Sequence, residues 1–418
     1  MPRQVRRYAI GIGLVAALVG VTTTVPAQAT QSIGRIGGSW TAAWGASPVE
    51  GADVPWMPSC QAGAGLADQT VRNVLFLSAG GNAVRVRLSN VFGQQSMAVG
   101  HATVAVQASE ADPVPGSMRE LTFAGSSTVT IAAGAQALSD PVDLTVAPLS
   151  TLLISVYVAG PTGPVTNHPF TAQGNYIASG DLTTSSTTAE FSADNPCWML
   201  VDGVDVRVRG PVLGSIVALG DSITDTSATT GNTNHRWPDY LARRLNERRG
   251  PVLSVVNAGL GGNRVLEPRT GEPYWGIPAL ARLHRDVFSQ TGVRDVILFE
   301  GVNDIGFDAT AEQLIAGYQQ IIAQTHAQGL RVFGATVTQF KGSFVWTDER
   351  AATWRALNDW IRTSGAFDAV FDFAAAVADP ADPAALAPAY DSGDHLHPND
   401  AGCEAMADAI DLKVLLAR

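Results

Sequence analysis

The chain has 418 residues, 46% of them apolar and 16% charged, enough for two domains with their own cores and too apolar for a disordered polymer. Its formal net charge of −11 argues against nucleic acid or an anionic membrane as a partner, since both would repel it. A neutral substrate stays open.

Residues 1–29 read as a signal peptide. Arg3, Arg6 and Arg7 make a positive start, Tyr8 to Val21 is largely apolar, and Ala27-Gln28-Ala29 offers a small-residue cleavage site. The apolar run is broken by glycines and followed by three threonines, which is too short and weak for a membrane anchor. Arg6-Arg7 leaves general and twin-arginine export both open. Cleavage after Ala29 removes three arginines and no acid, taking the charge from −11 to −14. The expected location is therefore extracellular.

Residues 38–210 show the period of strands. Val84, Val86 and Leu88 alternate with Arg85 and Arg87, and similar short runs occur at 102–106, 121–123, 142–146, 152–158 and 204–208. Clusters such as Gly80-Gly81-Asn82 and Gly160-Pro161-Thr162-Gly163 separate them. Many short strands with turn chemistry between them predict an antiparallel β-sandwich. Cys60 and Cys197 stand at its two ends, and in an exported chain a disulfide between them is plausible. Cys403 reads as a buried thiol, and the cysteine spacings match no zinc motif.

From residue 211 to 418 strands and helices alternate. Strands are predicted at 216–219, 252–256, 296–299, 330–335 and 369–373. Helices are predicted at 237–248, 277–288, 311–327, around Leu357 to Ile361, and at 399–416. Such alternation means a parallel sheet between helix layers, with ligands bound outside the carboxyl ends of the strands.

Chemistry-bearing residues fall where that rule puts them. The first strand runs into Gly220-Asp221-Ser222, the second ends in Asn257 to Asn263 with Gly261-Gly262, the third ends in Glu300-Gly301-Val302-Asn303-Asp304, and Asp394-His395-Leu396-His397 stands near the C-terminus. Each alone reads more readily as a turn, a helix cap or a solvent loop. Together, in this order, they supply the parts of acyl transfer, and the set resembles the SGNH (GDSL-type) hydrolase superfamily over roughly residues 213–418. Histidine has the pKa to take a proton from a serine hydroxyl, and a carboxylate fixes its tautomer. The resemblance implies Ser222 as nucleophile, His397 as base and Asp394 as its partner, with His395 the nearest competitor. It implies an oxyanion hole from the backbone N–H of Ser222, the backbone N–H of Gly262 and the side-chain amide of Asn303. The resemblance also implies Gly262 in preference to Gly261, because the family's glycine follows an Asn-x-x-x-x spacer that here runs from Asn257 to Gly262.

Other residues read more plainly. Asp221 and Asp225 are expected to make structural hydrogen bonds, and Asp239 and Asp286 to be solvated charges on helices. His235, His284 and His326 have no carboxylate at ligand spacing and are read as packing or surface residues. Tyr274 and Trp275 suit a wall for the substrate or a packed loop equally.

The whole chain is similar to secreted two-domain SGNH hydrolases of actinobacterial type with a β-rich N-terminal domain, a likeness carried in that half by Val86-Arg87-Leu88-Ser89-Asn90-Val91-Phe92-Gly93. That resemblance implies a carboxylic ester hydrolase working without metal or cofactor. Its expected substrate is a small ester or an acylated polysaccharide, carrying short acyl or acetyl groups on carbohydrate or aryl alcohols. No stable membrane association is expected once the signal is removed. A lipid ester hydrolase or transacylase would use the same triad. A catalytically inactive carbohydrate-binding surface protein is the reading from another class.

Overall fold

Two large sheets and a two-stranded one, Asn167–His168 paired with Trp198–Met199, take up the alternation that precedes residue 211. The structure, a computed structural model, describes residues 38–226 and 228–417; the signal segment at 1–29 lies outside them. One antiparallel sheet orders Ser39–Gly45, Val201–Val208, Val84–Asn90 and Ala135–Leu138. Val84, Val86 and Leu88 are buried, while Arg85 and Arg87 pair across the strands with Asp205 at 2.8 Å and Asp202 at 2.7 Å. The second sheet is centred on Gln69–Phe76, Thr151–Val158 and Met97–Ser109. Leu88 and Val204 of the first sheet share a core with Leu75, Val104 and Ile154 of the second, as in a sandwich. Two expected strands are not ladders: Phe123, Val142 and Val146 pair only at isolated bridges. Phe123 and Val146 still bury their side chains, so the apolar signal was packing without pairing. Cys60 and Cys197 are joined by a disulfide.

The strand Ser39–Gly45 serves both regions, which lie in one compact unit. Ala42 packs in the core of the C-terminal region, and Ala43 and Trp44 in that of the sandwich. The Ala42 N–H donates to the Thr291 carbonyl at 2.9 Å, and the Val255 N–H donates to Ser78 Oγ at 3.1 Å.

The C-terminal region is an α/β fold around a five-stranded parallel sheet in the order Val252–Gly259, Val212–Gly220, Val293–Phe299, Arg331–Ala335, Ala369–Phe371. Strand order reverses on either side of Val212–Gly220, so a crevice opens at the carboxyl ends of the three strands nearest that point. Among the described residues no helix is long and apolar enough to cross a membrane.

Four expectations need correction. The predicted helix 277–288 is a single turn, Ala279–Arg282, continued by a widened segment, Leu283–Phe288. Asp286 on that segment is buried, with Arg285 at 2.5 Å and Arg282 at 3.3 Å, and is not a solvated charge. Asp239 is largely covered, because it accepts from the Arg236 N–H at 3.1 Å and closes the first turn of Trp237–Glu247. The C-terminal helix is two, Asp400–Asp408 and Leu412–Leu416, divided where the Asp411 side chain caps the second. Cys403 is buried in the former.

Candidate active site

The strand Val212–Gly220 ends at Asp221, whose side chain accepts from the Ile223 N–H at 3.0 Å and starts the single turn Ser222–Asp225. Ser222 therefore stands at a strand-to-helix corner. Its Oγ lies 2.9 Å from His397 Nε2, and His397 Nδ1 lies 2.6 Å from Asp394 Oδ2. The other Asp394 oxygen accepts from the Leu396 and His397 N–H groups at 2.9 and 2.8 Å. Burial alone would push the Asp394 carboxyl up. The donors on His397 and Leu396 and the charge of His397 more than reverse that, holding it well below the usual carboxylate range. His395 turns away, its Nδ1 2.5 Å from Asp391 Oδ2, and takes no part in the relay.

The second and third strands bring in Gly262 and Asn303. Gly262 has φ +67°, and a Cβ there would meet Trp275 Cε3 at 2.3 Å, so only glycine fits beneath the indole. The neighbouring Gly261 N–H is already given to Asp225 Oδ2 at 2.9 Å. Asn303 Oδ1 accepts from Arg269 Nη2 at 3.2 Å. A guanidinium can only donate, so this bond fixes the amide, and Nδ2 has no partner among the described residues. The Arg269 guanidinium sits over the rings of Trp275 and Phe307, at 4.6 and 4.8 Å from their centroids. Ser222, Gly262, Asn303 and His397 line one cavity of about 500 Å³, whose apolar wall includes Phe170, Trp275, Phe307 and Phe344. Trp275 is part of that lining. Tyr274 is not: it is buried behind, and its hydroxyl donates to Glu272 at 3.0 Å.

Beneath Ser222 lies a buried layer of ionisable groups. Arg282, with no exposed surface, donates to the carbonyls of Gly220 and Ala258 at 3.0 and 2.7 Å, to Asn263 at 2.9 Å and to Ser47 at 2.9 Å. It thereby ties the ends of the first two parallel strands to the sandwich. Glu300 lies 3.5 Å from it. Burial pushes Asp221 up to about 7 and Asp304 up to about 6, and raises Glu300 well above the ordinary value. Asp304 accepts from the Val265 and Leu266 N–H groups at 2.8 and 3.1 Å, fixing the chain that follows Gly262.

The remaining histidines find carboxylates that sequence spacing hides: His235 meets Asp400 at 2.8 Å, and His326 meets Asp368 at 2.9 Å, while His284 is exposed. Among the described residues no group of three or more His, Cys, Asp and Glu side chains could hold a metal ion. Arg269, Arg282, His168 and Phe170 are absent from the sequence reading. Only Arg282 and Asp286 left a signal, as opposite charges four residues apart on a helix.

Residues 218–405 match the model of the GDSL-like lipase/acylhydrolase family. A search of curated proteins found no match. Among solved structures, a carbohydrate acetylesterase from Sinorhizobium meliloti is similar at 15% identity and TM-score 0.39, over 48% of this chain and 98% of that one. An M. smegmatis aryl esterase is similar at 15% identity and TM-score 0.40, over 48% and 98%. A lipase/acylhydrolase from Enterococcus faecalis is similar at 19% identity and TM-score 0.38, over 48% and 94%. On the sequence match, residues 218–405 form a domain of the GDSL-like lipase/acylhydrolase family, within the SGNH hydrolase superfamily.

Proposed function

We propose that the protein is an exported serine esterase that hydrolyses carboxylic esters through an acyl-Ser222 intermediate. The observation that carries this reading is the relay Ser222 Oγ, His397, Asp394, with contacts of 2.9 and 2.6 Å, at a cavity lined also by Asn303, whose Nδ2 has no partner among the described residues. His397 takes the Ser222 proton as Oγ attacks the ester carbonyl, and Asp394 stabilises the imidazolium so formed. The Ser222 and Gly262 N–H groups and Asn303 Nδ2 meet the oxygen on which charge develops. His397 then returns the proton to the leaving alcohol. Water attacks the acyl-serine by the same route in reverse.

The favoured substrates carry a short acyl or acetyl group on a carbohydrate or aryl alcohol. Support comes from the aromatic wall of Phe170, Trp275, Phe307 and Phe344, which suits a flat ring better than a long flexible chain. Export rests on the charged, apolar and small-residue pattern of residues 1–29. The test is hydrolysis of p-nitrophenyl esters from acetate to palmitate by the protein and by Ser222→Ala. Rates that fall steeply beyond short acyl chains and vanish in the variant are expected. Rates that rise with chain length would replace the short-acyl reading by a lipid one, and equal rates in both proteins would end the assignment of Ser222.

A further inference from the structure

A second histidine–aspartate pair lies beside the nucleophile turn, and the proposed chemistry leaves it unused. His168 comes from the antiparallel region and Asp225 ends the turn begun by Ser222; both side chains are 3% exposed. His168 Nδ1 lies 2.7 Å from the Ser47 carbonyl, and Nε2 lies 2.9 Å from Asp225 Oδ1. A carbonyl only accepts, so Nδ1 carries a proton. The contact at Nε2 is then a hydrogen bond whether the imidazole or the carboxyl holds the second proton. The other Asp225 oxygen accepts the Gly261 N–H at 2.9 Å.

One carboxyl group thus joins the turn of the nucleophile to the turn of the glycines. Asn257 adds to the junction, its amide donating to the carbonyls of Thr224 and Asp225 at 2.8 and 3.3 Å. Two residues beyond His168, Phe170 holds φ +61°, a backbone state that a residue with a side chain keeps only where its surroundings impose it. Its ring lies parallel to Trp275, centroids 5.4 Å apart, and a Cβ on Gly261 would meet Phe170 Cδ2 at 3.2 Å. The segment His168–Phe170 therefore grips the Gly261–Gly262 turn twice: through Asp225 on the N–H of Gly261, and through the Phe170 ring against the same residue.

We infer that His168 is a positioning residue for oxyanion stabilisation, acting through Asp225 to hold the Gly262 N–H where charge develops on the ester oxygen. This rests on the esterase reading and gives the antiparallel region a part in the reaction. Asp225→Asn keeps the geometry, since its oxygen can accept from Gly261 and its amide can donate to a neutral His168. Asp225→Ala does not.

The experiment measures kcat and KM for p-nitrophenyl acetate, together with inhibition by phenylboronic acid, which bonds to the serine and sets an oxygen in the hole. His168→Ala and Asp225→Ala are expected to lower kcat roughly 10- to 100-fold, with KM within about threefold, because a donor is displaced and not deleted. Boronate affinity should fall by the same factor as kcat/KM, and Asp225→Asn should recover at least about a third of the wild-type kcat. Folded variants with unchanged kcat and boronate affinity, or an Asp225→Asn as damaged as Asp225→Ala, overturn the inference. If His168→Ala does not fold, the two Asp225 variants decide alone. Absence of Ser222-dependent hydrolysis in the wild-type chain would instead defeat the esterase reading itself.

Discussion

Two histidine–aspartate pairs, one within the α/β region and one joining it to the antiparallel region, are held in opposite ways. In the α/β region the His397 and Asp394 side chains are 22% and 46% exposed, on a loop facing the cavity. Between the antiparallel region and the nucleophile turn, His168 and Asp225 are each 3% exposed and fully engaged by backbone and by one another. His397 Nε2 meets a hydroxyl that lines the cavity and can pass its proton on to a substrate there, whereas the His168 nitrogens meet a backbone carbonyl and a buried carboxylate, outside that cavity's lining. On the proposed reading, the same pair of residue types does chemistry in one setting and positioning in the other, and burial separates the two.

Breaking the exposed pair should have the largest effect. Asp394→Asn loses the carboxylate that holds the His397 tautomer, and kcat is expected to fall about 10⁴-fold with little change in KM. Because its neighbours keep Asp394 ionised far below neutral pH, the wild-type acid limb between pH 5 and 7 should not report Asp394. A variant that loses less than about tenfold in a stopped kinetic assay would place the orienting role elsewhere. Next in size is Asn303→Ala, expected to cost on the order of 10²- to 10³-fold in kcat as one oxyanion donor is lost. Arg269→Met should cost about tenfold, since it frees the Asn303 amide to rotate without removing the donor. An Arg269→Met loss as large as that of Asn303→Ala would mean that Arg269 itself touches the substrate.

The α/β region was the more legible because its chemistry is tied to topology. A strand end followed by Gly220-Asp221-Ser222 can be read locally, the next two motifs follow the second and third strands in chain order, and Asp394 and His397 stand on the loop before the helix Asp400–Asp408. The antiparallel region offers no such rule. Gln69–Phe76 is buried along nearly its whole length, with Thr70, Arg72 and Asn73 inside, so the two-residue alternation that marks a half-buried strand is missing. Arg72 is tolerated there because it donates to the Ala111 carbonyl at 2.7 Å, the Ser185 carbonyl at 2.9 Å and Ser155 Oγ at 2.8 Å, all from distant segments. His168 was invisible for the same reason. Its meaning depends on Asp225, 57 residues away, and on a carbonyl 121 residues back. A lone Asp on a predicted helix reads as a solvated charge, and the contacts with Arg282 and Arg285 that hold Asp286 come into view only in the fold.

A smaller effect on activity is expected where the antiparallel region is stapled. The Cys60–Cys197 disulfide spans 137 residues, and cross-linking a loop of that length restrains the unfolded chain by up to about 4–5 kcal/mol. Cys60→Ser with Cys197→Ser should lower Tm by several degrees. Since neither cysteine lines the catalytic cavity, kcat at 25 °C should stay within about twofold. A kcat that collapses while the protein is still folded would show that the staple, and not His168 alone, holds the clamp on Gly261.

The smallest expected change tests the layer beneath both pairs. Burial is the main cause that lifts Asp221 to about 7, opposed by the Ile223 N–H and the charges of His397 and Arg282. The unfolded chain carries this group at an ordinary value of about 4, so the folded protein binds its proton more tightly. The stability this confers is complete below about pH 4 and is lost as pH rises from there through about 7. Asp221→Asn carries no charge and can still accept from Ile223, so its Tm should match wild type at pH 4 and exceed it by a few degrees at pH 8. Asp304 and Glu300 remain in the variant and still titrate, so the comparison reads Asp221 through the difference between the two proteins. A variant no more stable than wild type at pH 8 would mean that Arg282 and His397 compensate the buried carboxylate fully. The layer under Ser222 would then be an ionised network, and its charge would belong in any account of how the nucleophile is activated.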